Sequence, residues 1–193
     1  MKTIKKIILV AAVLVSTLGY AEKGKVLNTR TYAKIAVLEF ENVKKGQQLF
    51  VKDAQDGIIY SETINTNGTL SKTFDLKELK DGKYTLELNK DFEIIIKPFE
   101  ITNNQVVFLT SEATKQFKPL VVAENNQLRV SKLNLDNDAV KIEIFYDGDM
   151  IYSETVNNET IVNRVYQLSK LETGKYHTVV KAKDRSYINH FEI

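Results

Sequence analysis

One stretch of this chain is written twice, and that repetition constrains the fold more than any other feature. Ile59-Tyr60-Ser61-Glu62-Thr63 recurs as Ile151-Tyr152-Ser153-Glu154-Thr155. Gly82-Lys83-Tyr84 recurs as Gly174-Lys175-Tyr176, and Phe99-Glu100-Ile101 as Phe191-Glu192-Ile193. The steps from 59 to 151, from 82 to 174 and from 99 to 191 are each 92 positions. A register held without a gap across these motifs means two copies of one unit. Upstream, Leu38 and Phe40 align with Leu133 and Leu135, which places short insertions in the intervening loops.

Each copy reads as short strands between turns. Leu49 and Val51 alternate with polar neighbours, as do Ile142 and Ile144, the period-2 signature of a half-buried strand. Asp53 to Gly57 and Asp147-Gly148-Asp149 supply hairpin turns, because Asp and Gly tolerate positive φ. Inward positions then fall at Phe74 and Leu76, matched by Tyr166 and Leu168, and at Tyr84, Leu86 and Leu88, matched by Tyr176, Thr178 and Val180. Ile94 and Ile96 face inward on the last strand of the first copy, and Ile188 on that of the second. Single helical turns are expected at 76–80 and 168–171. No stretch beyond residue 21 keeps a helical apolar period for a full helix, so the fold class is all-β.

The N-terminus carries a separate message. Lys2, Lys5 and Lys6 precede an apolar run from Ile7 to Leu18, and Gly19-Tyr20-Ala21 offers small residues at the positions a signal peptidase reads. Residues 1–21 therefore read as a signal peptide cleaved before Glu22. The run is shorter than the roughly 20 residues that span a bilayer, so the mature chain is not expected to be an integral membrane protein. The full chain carries 27 basic and 25 acidic residues. Three of the basic ones fall in the leader, leaving 24 against 25. A nearly neutral chain lacks the positive field of a nucleic-acid binder. The absence of cysteine excludes disulfides, thiolate metal sites and a cysteine nucleophile, so stability has to come from apolar burial.

Leu79-Lys80-Asp81-Gly82-Lys83-Tyr84, repeated as Leu171-Glu172-Thr173-Gly174-Lys175-Tyr176, resembles the tyrosine corner of immunoglobulin-like and fibronectin type III domains. The resemblance implies that each tyrosine hydroxyl bonds to backbone at the turn while its ring fills the core. Residues 142–193 are similar to the C-terminal sorting domains of type IX secretion cargo, in the order hairpin, Tyr-Ser strand, Leu-x-x-Gly-x-Tyr corner and final strand. Phe117-Lys118-Pro119 followed by Leu128-Arg129-Val130 resembles the start of those domains. The expected organisation is a signal peptide at 1–21 and immunoglobulin-like β-sandwich domains at 22–112 and 113–193.

No catalytic motif is present, and no cofactor is expected. His177 and His190 are the only histidines, and nothing in their spacing suggests a metal site. Asp136-Asn137-Asp138 and Asp147-Gly148-Asp149 lack a regular calcium loop and read as turns. Strand parity does pick out one surface. Phe145, Val179 and Tyr187 fall out of phase with the inward positions, with His177 beside them and Lys141, Glu143 and Lys181 around them. Phe50 and Ile95 are the comparable outward positions of the first copy. The sequence reads as an exported, non-enzymatic protein acting in binding or structural presentation. Its expected partner is a protein or glycan at the cell envelope, with His177 and its neighbours as the binding face. The alternative is a secretion cargo whose last domain is a sorting signal. The mature protein should begin at Glu22, and an intact mass that retains the apolar leader would contradict export.

Overall fold

The structure, a computed structural model, describes residues 5–6, 30–169 and 173–193. Apart from Lys5 and Lys6, the expected leader lies outside the described residues, as do the cleavage point and Leu171 and Glu172 of the second corner motif. The two leader residues form β1 (Lys5–Lys6). The chain divides between Gln116 and Phe117 into two compact units.

The first unit runs through β2 (Arg30–Tyr32), β3 (Ile35–Val43), β4 (Gln48–Lys52), β5 (Ile58–Thr63), β6 (Gly68–Asp75), β7 (Gly82–Asn89) and β8 (Glu93–Thr102). One sheet has the order β2-β3-β6 and the other β5-β4-β7-β8. β9 (Gln105–Phe108) and β10 (Thr114–Phe117) both add to β8. The second unit repeats this plan with β11 (Leu120–Glu124), β12 (Gln127–Leu133), β13 (Val140–Tyr146), β14 (Asp149–Val156), β15 (Ile161–Gln167), β16 (Lys175–Ala182) and β17 (Arg185–Glu192). Its sheets are β11-β12-β15, extended by β1 on β15, and β14-β13-β16-β17. Each unit is an antiparallel immunoglobulin-like β-sandwich built on a common core of three strands facing four, with β9 and β10 added in the first unit and β1 in the second.

Alternation builds both cores. Ala36, Leu38, Phe40 and Phe74 meet Leu49, Val51, Leu86, Leu88 and Phe99 in the first unit. Leu128, Val130, Val162 and Tyr166 meet Ile142, Ile144, Tyr176 and Val180 in the second. Each such aliphatic side chain stabilises by about 1.5–3 kcal/mol when removed from water. The β4–β5 hairpin closes on Asp53, whose Oδ1 accepts the Gln55 and Gly57 amides at 2.9 and 2.8 Å. The β13–β14 hairpin turns through Asp147 and Gly148 at φ 48° and 92°, the left-handed pair of a tight two-residue turn.

The structure corrects the upstream alignment. Leu76 donates its amide to Lys34 O at 2.8 Å, and Leu168 donates to Asn126 O at 2.8 Å, so the same joint lies 92 residues apart. Leu38 and Phe40 therefore match Val130 and Lys132, whereas Leu133 and Leu135 are 36% and 61% exposed. Sequence alignment matched Leu38 and Phe40 with two leucines because periodicity does not place a lysine at a core position. Lys132 is buried there, and Nζ donates to Phe117 O at 2.8 Å and Leu133 O at 3.2 Å. Burial pushes its pKa down. The slip occurs instead at β4, where Leu49 and Val51 match Ile142 and Ile144, 93 residues on; the β4–β5 connection then restores 92. The expected helical turn at 76–80 is a hydrogen-bonded turn, Leu79 amide to Leu76 O at 3.1 Å. The segment 168–171 lies partly outside the described residues.

The duplicated Tyr-Ser-Glu-Thr motif ties sheet to sheet. In the first unit Glu62 on β5 accepts from the Tyr60 hydroxyl and from Lys72 on β6, while Tyr60 packs edge-on against Phe74 at 5.8 Å. In the second, Glu154 on β14 accepts from the Tyr166 hydroxyl and from Arg164 Nε at 3.4 Å, both on β15. Strands β5 and β6 belong to different sheets, as do β14 and β15, so these groups fasten the open side of each sandwich.

The two corner tyrosines are buried to different depths. Tyr84 donates its hydroxyl to Lys80 O at 2.9 Å and stacks on Phe99, but its ring is half-buried. Tyr176 is only 2% exposed, with Phe191 stacked at 5.6 Å and Tyr146 tilted at 4.8 Å. A hydroxyl from Tyr146 reaches Thr173 O at the second corner, at 3.2 Å. Tyr176→Ala should destabilise by roughly 3–5 kcal/mol and Tyr84→Ala by about 1–3 kcal/mol. Urea melts of the two variants would check the order, and equal costs would contradict the difference in burial.

Candidate functional site

The outer face of β14-β13-β16-β17 brings most of the sequence-selected residues together. Antiparallel pairing puts directly opposite residues on one face, with side chains close enough to touch. Phe145 stands opposite His177, and His177 opposite His190; Met150 completes this row on β14. The next row is Ser153, Glu143, Val179 and Ile188, and the third is Thr155, Lys141, Lys181 and Ser186. In the first row Phe145 and His177 stack at 4.4 Å with planes 6° apart, and His190 follows at 5.4 Å and 35°. Met150 and Ile188 are 58% and 59% exposed, while Phe145, His177 and Val179 are half-buried by one another.

Tyr187 does not join them. It stands opposite Val180, which faces the core, so Tyr187 shares that inward parity and Ile188 points outward beside Val179. Sequence parity inverted this strand because both of its rows mix apolar and polar residues: Tyr187-Asn189-Phe191 against Ser186-Ile188-His190. A half-buried edge strand gives no clean alternation to read. The first unit holds a similar correction. Ile95 is buried in the core opposite Leu88, whereas Phe50 does lie on the outer face, opposite Glu87.

Charge on the second unit's face centres on Glu143. This residue is 6% exposed, and its two carboxylate oxygens take Lys141 Nζ at 2.6 Å and Lys181 Nζ at 2.9 Å. Hydrogen bonds from Lys141 and then Lys181 hold its pKa below the usual carboxylate range. At the opposite end, a depression of about 310 Å³ is lined by Asp147, Gly148, Lys175, Tyr176, His177 and His190. Sequence spacing could not show that the two histidines meet, because only the β16–β17 register joins them. The acidic turn at 136–138 is bound to a lysine: Lys183 Nζ lies 2.5 Å from Asp136 and 3.5 Å from Asp138. Among the described residues no three histidine, aspartate or glutamate side chains gather as a metal cluster. No helix among them is long and apolar enough to cross a membrane.

No protein-family profile and no curated protein sequence matches the chain. Similar solved structures include the BSP domain of a biofilm-associated protein, at 15% identity and a TM-score of 0.28, covering 87% of this chain and 29% of that one. The human OSCAR ligand-binding domain is 7% identical with a TM-score of 0.26, covering 84% and 92%. Native α2-macroglobulin from Escherichia coli, spanning domains MG0-NIE-MG1, is 11% identical with a TM-score of 0.29, covering 86% and 59%. This chain thus spans less than a third of the first of these structures. At such scores none carries a functional argument, and the fold assignment rests on the strand order itself.

The Glu143 arrangement makes a signed prediction. Its folded pKa is depressed, so its contribution is present above the unfolded value of about 4.3 and lost as pH falls through the folded one. Glu143→Gln should cost about 1 kcal/mol at pH 7, allowing for the half-exposed lysines. Thermal melts should show that cost shrinking below about pH 4; a difference unchanged down to pH 3 would contradict the pairing.

Proposed function

We propose that this is an exported, non-enzymatic binding protein, and that it captures a protein partner at the cell envelope through the outer face of β14-β13-β16-β17. The observation that carries the reading is two apolar cross-strand pairs in adjoining rows of one face, Met150 with Phe145 and Val179 with Ile188, sharing those rows with His177 and His190 and bounded on the far side by Lys141 and Lys181. An aromatic and aliphatic centre with a charged rim is the make-up of a recognition patch. Exposed Met and Ile favour the side chains of a protein over a carbohydrate, which would call for more hydrogen-bonding groups at the centre.

Labelled protein should bind washed cells, and Val179→Asp with Ile188→Asp should weaken that binding at least tenfold while shifting the melting temperature by no more than a few degrees. Protease treatment of the cells should abolish binding. Survival of binding after protease would make the partner a glycan, and equal binding by wild type and variant would remove this face from the function. The second reading, a sorting address, is supported by the corner and hairpin order of the second unit. It expects residues 113–193 to carry a fused reporter out of the cell, and retention of the reporter inside would sink it.

A further inference from the structure

Both histidines of the chain lie side by side on the second unit's sheet, within the same face. His177 and His190 are directly opposite on β16 and β17, with ring centres 5.4 Å apart and planes 35° from parallel. We propose that the two imidazoles form a chelate for a divalent transition-metal ion of the copper(II) class, at the rim of the depression that contains Asp147.

The geometry meets the demand of such a chelate. Two imidazoles bound at about 2.0–2.1 Å and near a right angle place their ring centres roughly 4.5–5 Å apart. The observed separation of 5.4 Å lies just outside that range, so binding draws the two rings slightly together. Phe145 stacks on the His177 ring at 4.4 Å and so limits the rotamers it would lose on binding. Both backbones belong to paired strands, the rigid support that a preorganised site requires. Asp147 lines the same depression and adds a carboxylate on the cation's side of the charge balance. Lys175 also lines it and opposes a cation, but Glu192 stands directly opposite Lys175 on the same face.

Two protein ligands make an open site whose remaining positions are filled by water. That arrangement does not suit a structural zinc ion, which takes four protein ligands. Copper(II) leads the divalent series in affinity for imidazole nitrogen, so it is the ion such a minimal site retains best.

The test is a titration of copper(II) chloride alone into untagged, purified protein at pH 7.5, followed by calorimetry and electron paramagnetic resonance. The expected result is one ion per chain, with hyperfine splitting from two imidazole nitrogens and zinc binding more weakly. His177→Asn and His190→Asn should each weaken copper binding at least tenfold. A double variant that binds copper as tightly as wild type overturns the proposal, and so does a wild-type spectrum without imidazole nitrogens. The spectrum of the unaltered protein keeps the test decisive even if a variant misfolds. No partner is present in the titration, so its failure is separate from failure of the partner-binding reading.

Discussion

With no cysteine in the chain, no disulfide cross-links the sheets of either sandwich. Each unit persists only while its two apolar faces stay packed, and one seam between them runs where β5 meets β6 and where β14 meets β15, strands of different sheets. The repeated Tyr-Ser-Glu-Thr motif sits there in both copies. Its glutamate accepts a tyrosine hydroxyl and a cation borne by the facing sheet, and its tyrosine packs against an aromatic ring there. The second copy elaborates the tie: Arg164 also reaches Glu159 at 2.7 Å, and burial together with Glu154 raises the Tyr166 pKa above that of an ordinary phenol. A charge left unpaired at such a seam is costly, which explains why carboxylate, hydroxyl and cation recur as a set.

The duplication was legible because this seam and the corner demand particular residues at fixed positions. Strand parity was equally legible wherever one face is fully buried, as at Leu49 and Val51 or Ile142 and Ile144. It failed where burial is partial. On β17 both rows carry hydrophobes, and only the pairing of Tyr187 with Val180 decides which row faces in. Lys132 escaped notice for a different reason. A lysine enters a core only when carbonyls receive its ammonium, and the long-range carbonyl that does so, Phe117 O, is invisible to periodicity.

The candidate face was therefore half visible. Phe145, His177 and Val179 followed from parity on two clean strands. Ile188 and the contact between His177 and His190 required the register of β16 with β17, which is a property of the folded sheet and not of either strand alone. Antiparallel pairing converts residues remote in sequence into neighbours about 5 Å apart, and motif spacing cannot anticipate that.

Comparison of the two units shows how the aromatic row became available. At the same sheet positions the first unit has Lys52, Thr85 and Pro98 in place of Phe145, His177 and His190. In the adjoining row, Phe50 and Glu87 stand where the second unit has Glu143 and Val179, so the apolar residue and the acid have exchanged strands. Both carboxylates are nearly buried, and both are matched by lysine: Glu87 by Lys52 at 3.0 Å, Glu143 by Lys141 and Lys181. The difference is the direction from which the lysine comes. Lys52 occupies the first row, where its ammonium would prevent an apolar surface, whereas Lys141 and Lys181 approach from the third. Moving the counter-charge to the far end satisfies the same buried acid and leaves the first row free for stacked rings. The scaffold is thus common to both units, while the placement of one ion pair decides which of them presents an aromatic surface.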